Sequence, residues 1–305
     1  MTTVTATSCR PAKTATWFSE ALRARWEAYG RRLDECRDEP SAESVHELRV
    51  ATRRLISQLG VVGCMVVSRK PDKAGRMLKR QLRSLGALRD VHVQRIFMER
   101  QSVRFPELVL LKEYLERRVG ELVRAAIRRT HSIKTTKLEK WVLNLMVALA
   151  EQENASSSRK GLSSAALRCA QDAFGQVVER RRLIDFSDLR TVHRTRVAFK
   201  KFRYVVESLP PDTTGLTKGA LRSLAWYQRR MGSIQDLEVL QACVTDFLNR
   251  HEGGQHFLAE FCAYLSHRQT RALAAFRKSV DRLFELWPPA GVARSLQLPS
   301  RQFPA

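Results

Sequence analysis

Apolar residues recur along the chain at steps of three and four. From Trp17 to Arg32 they fall at Trp17, Ala21, Ala24 and Ala28, and later at Leu108, Leu111, Leu115, Val119, Leu122 and Ala126. That spacing returns each apolar side chain to one face of an α-helix, and no segment alternates as a half-buried strand does. The pattern predicts an all-α protein. Breaks are expected at Pro40, Lys70-Pro71-Asp72, Phe105-Pro106, the Ser-rich Asn154 to Gly161, Asp185 to Asp188, Leu209 to Gly215 and Glu252 to Gly254, where helix-breaking residues cluster. The intervals between them suit about eight helices. Ser44 with Glu47 has capping-box spacing, and Ser41 just after Pro40 competes as the start of the same helix. Residues 1–14 and 291–305 carry no such pattern and are expected to be a disordered N-terminus and a flexible tail.

The two halves of the chain repeat one another on either side of the Ser-rich segment. Val45-His46-Glu47-Leu48-Arg49-Val50-Ala51-Thr52-Arg53-Arg54-Leu55 aligns with Val192-His193-Arg194-Thr195-Arg196-Val197-Ala198-Phe199-Lys200-Lys201-Phe202, at an offset of 147 residues. Leu85-Gly86-Ala87-Leu88-Arg89-Asp90-Val91 aligns with Met231-Gly232-Ser233-Ile234-Gln235-Asp236-Leu237, at an offset of 146. Two blocks in the same order at nearly one offset imply an internal duplication of about four helices per half, 15–155 and 156–290, related by a pseudo-twofold axis.

Charge says what such a molecule would meet. With 54 Lys and Arg against 31 Asp and Glu, the formal net charge is +23. Self-repulsion on that scale opposes compaction, and a polyanionic partner relieves it: nucleic acid, an anionic membrane or a phosphate polymer. At 44% hydrophobic residues the chain can still build a core, so it is no basic disordered tail. The six cysteines (Cys9, Cys36, Cys64, Cys169, Cys243 and Cys262) show no CxxC pair, which points to a reducing compartment and no zinc site. The longest apolar run, Val61 to Val67, falls far short of the roughly 20 residues a membrane span needs. A cytoplasmic protein without a membrane role is expected.

The repeated blocks distribute the charge. On a helix, His46, Arg49 and Arg53 share a narrow stripe that His193, Arg196 and Lys200 repeat, flanked by Arg54, Lys201 and Arg203. Stacked like charges weaken an isolated helix, so their duplication calls for a ligand. A second basic set precedes and enters the second block: Arg76, Lys79, Arg80 and Arg83 with Arg89 inside the block in the first half, and Arg222 and Arg229 in the second. Arginine forks suit bidentate phosphate contacts. Each histidine is a phosphate donor or a helix-packing residue. Asp90 and Asp236 are carboxylates that orient guanidinium groups, N-cap or turn residues, or with His92 and Glu238 metal ligands without a supporting cluster.

At these two blocks the chain resembles the CHAD family, the conserved histidine α-helical domain. The likeness rests on His46-x-x-Arg49-Val50-x-x-Arg53-Arg54-Leu55 with Leu85-Gly86-x-Leu88-Arg89-Asp90-Val91, and on their counterparts from His193 and Met231. The resemblance implies two four-helix bundles related by pseudo-twofold symmetry, with a central basic surface or pore that binds inorganic polyphosphate, and association with polyphosphate granules. Carried over, the phosphate-contacting positions are His46, Arg49, Arg53, Arg54, Arg83, His193, Arg196, Lys200, Lys201 and Arg229. Ile56 stands opposite Arg203, and Gln235 opposite Arg89, so the halves differ in charge. Some relatives carry an N-terminal triphosphate-processing domain with an ExExK strand; no such motif precedes His46, and a stand-alone module is expected. Neither a GxxxxGK[ST] loop nor an acidic cluster appears, which favours binding without catalysis and without a cofactor. Nucleic acid is the alternative partner, although no aromatic ladder accompanies the stripes.

Overall fold

The structure, a computed structural model, describes residues 14–154, 158–251 and 257–288. Among the described residues every regular element is helical: α1 (Thr14–Asp38), α2 (Ala42–Gly63), α3 (Lys70–Ser84), α4 (Gly86–Gln101), α5 (Val109–His131) and α6 (Thr136–Asn154). These lead into α7 (Ser158–Arg182), α8 (Leu189–Val206), the one-turn α9 (Pro211–Thr214), α10 (Lys218–Arg250), α11 (Ala259–Arg277) and the one-turn α12 (Leu283–Leu286).

Most expected breaks fall between helices. At the start of α2 the competing serine prevails, since the Ser41 side chain accepts from the Ser44 N–H at 3.1 Å. Lys70-Pro71 opens α3 instead of interrupting it, because the first turn of a helix tolerates a missing N–H. The Glu252 to Gly254 break and the middle of the Ser-rich segment lie outside the described residues, as do nearly all of the two terminal segments. Two boundaries fall outside the expected breaks, the second of them beside Gly86. The chain leaves α5 through residues 132–135, and α3 meets α4 at Leu85.

Helix α2 shows how pattern becomes packing. Val45, Leu48, Leu55, Leu59 and Val62 are buried at helical spacing against α1, α3 and α8. Fully burying each such side chain contributes about 1.5–3 kcal/mol. Thr52 and Phe199 match in the repeat and are both buried, as are Leu48 and Thr195, so these two variable positions of the blocks are core positions. Two apolar clusters result. The larger joins α1, α2, α3, α6, α7 and α8 to the first turns of α10. The smaller joins α4 and α5 to the later turns of α10 and to α11. Each cluster draws on both sides of the chain's midpoint, and the long α10 ties them together through Leu224 to Ile234 in one and Leu237 to Phe247 in the other.

Candidate anion-binding site

The core faces of α2 and α8 leave their basic stripes pointing between the helices. There a cavity of about 430 Å³ is lined by His46, Arg49, Val50 and Arg53 of α2 and by His193, Arg196, Val197, Lys200 and Tyr204 of α8. Helix α4 adds Arg89, Asp90, Val93 and Gln94, and α10 adds Gln228, Gln235, Asp236 and Val239. Side chains 147 residues apart in the sequence thus meet in one space.

The matched arginines of the two stripes share a buried, unpartnered Nε. Arg49 Nη1 donates to the Leu82 carbonyl at 2.6 Å near the end of α3, while its Nε is buried without a partner. Arg196 Nε is also buried and unpartnered. Under each lies the glycine of the second block. A Cβ on Gly86 would sit 4.0 Å from Arg49 Nη1, and one on Gly232 would sit 3.7 Å from Arg196 Nε. These are ordinary van der Waals distances, so the glycines mark a close approach of each guanidinium to the neighbouring helix without being required for it.

Crowded cations in a partly buried space disfavour charge. Burial, followed by the field of Arg53, pushes Arg49 down to about 10. Burial also lowers Arg53, with the neighbouring Tyr204 offsetting part of the effect. Lys200 falls to about 7, chiefly through burial and then through Arg53, Arg196 and Arg49. His46 is lowered by burial and by Arg89. His193 Nδ1 is hydrogen-bonded to the side-chain oxygen of Gln235. An anion entering this space would meet partly desolvated donors whose charged forms it stabilises.

Asp90 and Asp236 are raised by burial, against the pull of Arg49 on the first and of Arg196 on the second. Among the described residues no hydrogen bond or ion pair joins either carboxylate to a guanidinium, and their interaction with Arg49 and Arg196 is through charge. Neither is an N-cap: α4 begins at Gly86, and Asp236 lies inside α10. Among the described residues no group of three or more His, Cys, Asp or Glu side chains could hold a metal ion. His92 is buried, and burial with the nearby Arg95 takes it down to about 4. It packs as a neutral ring.

Other basic residues singled out from the sequence lie elsewhere. Arg54 and Lys201 are exposed on the flanks of their helices, and Lys201 donates to Gln176 at 3.2 Å. Arg203 is paired with Glu207 at 2.6 Å. Arg222 and Arg229 are exposed on α10. Helix α3 buries Ala74, Gly75, Leu78 and Gln81, which turns Arg76, Lys79, Arg80 and Arg83 away from the central cavity toward α6. Conversely, the sequence reading missed Tyr204, Gln94, Gln228 and Val239. Each continues a recognised stripe by whole turns: Lys200 to Tyr204, Asp90 to Gln94, Gln235 back to Gln228, and Asp236 on to Val239.

Comparison with known proteins places this geometry in a family. A family model described as the CHAD domain matches residues 20–245. The chain belongs to the CHAD domain family. The matched span contains both copies of the two repeated blocks and every residue lining the central cavity. This CHAD chain is similar to the crystal structure of the CHAD domain from the plant Ricinus communis, at 20% identity over 95% of this chain and 93% of that one, with a TM-score of 0.62. It is also similar to PptA from Streptomyces chartreusis, at 16% identity over 88% of this chain and all of that one, with a TM-score of 0.59. At these identities the likeness establishes the fold. A search of curated proteins finds no match. No helix among the described residues is long and apolar enough to cross a membrane.

Proposed function

We propose that this CHAD chain binds inorganic polyphosphate in the cavity between α2 and α8, in the cytoplasm and on polyphosphate granules, and that it is a binding protein without catalytic chemistry of its own. The observation that carries this reading is the paired placement of Arg49 and Arg196: matched positions of two repeated blocks, each with a buried, unpartnered Nε, on the same cavity. Buried guanidinium donors are costly when unmade, and a chain of phosphates supplies acceptors in series. In this reading the halves are duplicated four-helix units about a pseudo-twofold axis. Helix α2 corresponds to α8, and α3 with α4 to the continuous α10, while α6 has no counterpart. Beside the two histidines the cavity lining carries one aromatic ring, Tyr204, and no ladder of Phe, Tyr or Trp, which favours a bare phosphate chain over single-stranded nucleic acid.

Arg49→Glu with Arg53→Glu is expected to lower polyphosphate affinity by orders of magnitude while helicity persists, and to abolish recruitment of a fluorescent fusion to granules. Duplex DNA at matched phosphate concentration should displace labelled polyphosphate poorly at physiological salt. Unchanged affinity in the double variant, or equal displacement by DNA, would place the site elsewhere or make it a general polyanion surface. Orthophosphate release from polyphosphate with magnesium would count against a purely binding role.

A further inference from the structure

The outward face of α3 meets the corner between α5 and α6, and together they form a second basic surface. Lys73, Arg76, Lys79, Arg80 and Arg83 line an opening of about 520 Å³ shared with Lys137 and Trp141 of α6. It runs on through Arg80 and Lys137 into a hollow of about 640 Å³, where Arg129 and Lys134 join. Beyond that the N-terminal turn of α6 adds Lys140. The surface is lined by nine cations and no carboxylate. Among the described residues none of the nine forms an ion pair, although the chain pairs arginine with acid at many other places on its surface. Glu139, the acid of that turn of α6, is not among the lining residues.

This groove and the central cavity adjoin. Arg49, from the cavity, donates to the Leu82 carbonyl at 2.6 Å, and Arg129, from the groove, donates to the Ser84 carbonyl at 2.8 Å. The last turn of α3 therefore stands between the two sites with a basic residue anchored on each side of it. We infer that the groove is a second phosphate-chain site, which takes the stretch of a long polyphosphate that extends past the central cavity. The inference rests on the reading of the cavity given above. Among the lining residues the one aromatic ring, Trp141, carries Lys137 over it at 5.3 Å from its centre, so a nucleobase would have to displace that lysine to stack there, which favours a chain without bases.

Two sites on one polymer make the second contact intramolecular, so long chains gain affinity that short chains lack. The test uses the full chain with tripolyphosphate and with long-chain polyphosphate as probes. The triple variant Lys134→Glu, Lys137→Glu, Lys140→Glu alters exposed positions, and circular dichroism checks its helicity. It should bind long chains about tenfold or more weakly while binding tripolyphosphate as the wild type does. Its dependence of log affinity on log salt should be shallower by about 2, at ~0.7 per phosphate for a single strand. Long-chain affinity equal to that of the wild type overturns the inference, as does an equal loss for both probes. If single-stranded DNA binding falls in the triple variant and long-chain polyphosphate binding does not, the groove is a nucleic-acid surface and the inference fails. If the wild type binds neither phosphate probe, the reading of the central cavity fails first, which separates the two failures.

Discussion

A lysine that falls to about 7 puts one titration of the cavity near neutral pH. Unfolded, Lys200 would titrate near ~10.4. Between those two values the unfolded chain binds the extra proton, so the unliganded fold gains stability as pH rises from about 7 toward 10. Lys200→Met should therefore be more stable than the wild type at pH 6, with the difference shrinking as the solution becomes alkaline. Thermal unfolding followed by circular dichroism across pH measures this. A bound polyanion acts in the opposite sense by stabilising the ammonium, so binding takes up a proton and affinity weakens as pH rises above about 7. In Lys200→Met that alkaline decline should vanish along with part of the affinity. A variant no more stable at pH 6, or with the same alkaline decline, would show that the cavity does not oppose this charge. A residue that costs stability in the free protein and serves only when ligand arrives is what a binding site built on buried charge requires.

At the scale of single helices, the angle between neighbouring residues decides function. Arg53 and Arg54 are adjacent in sequence but about 100° apart on α2; the first lines the cavity and the second is exposed. Arg53→Glu should cost orders of magnitude in polyphosphate affinity, and Arg54→Glu less than about tenfold, since an exposed charge acts through a screened field. Isothermal titration of the two variants decides it, and equal losses would mean the ligand wraps the outside of α2. This comparison also marks what was legible in the sequence. The stripes were, because helical periodicity fixes which side chains share a face: His46, Arg49 and Arg53 do meet His193, Arg196 and Lys200. The direction of α3 was not. Its basic residues form as regular a stripe, but periodicity gives the face and not the neighbour, and the burial of Ala74 and Leu78 turns that face outward. The corner at 132–135 was also hidden, since it holds neither glycine nor proline, and with it the lysines of α6 that the fold brings to α3.

Across the whole molecule, the cavity makes two distant segments interdependent. Arg49 and Arg196 lie 147 residues apart in sequence, yet each field reaches the same groups: both lower Lys200, and both pull on Asp90. If one phosphate chain engages both, removing either arginine leaves it misplaced for the other. Arg49→Gln and Arg196→Gln should each weaken polyphosphate binding, and the double variant should lose less than the sum of the two losses. Groups sharing a ligand typically couple by about 0.5–3 kcal/mol in such a cycle, whereas independent sites add within about 0.5 kcal/mol. Stability measured on the same four proteins controls for folding, and the relief of cation crowding should leave the glutamine variants no less stable than the wild type. Strict additivity in binding would assign each stripe its own anion. Coupling would mean that the duplicated blocks work as one site where α2 and α8 face each other.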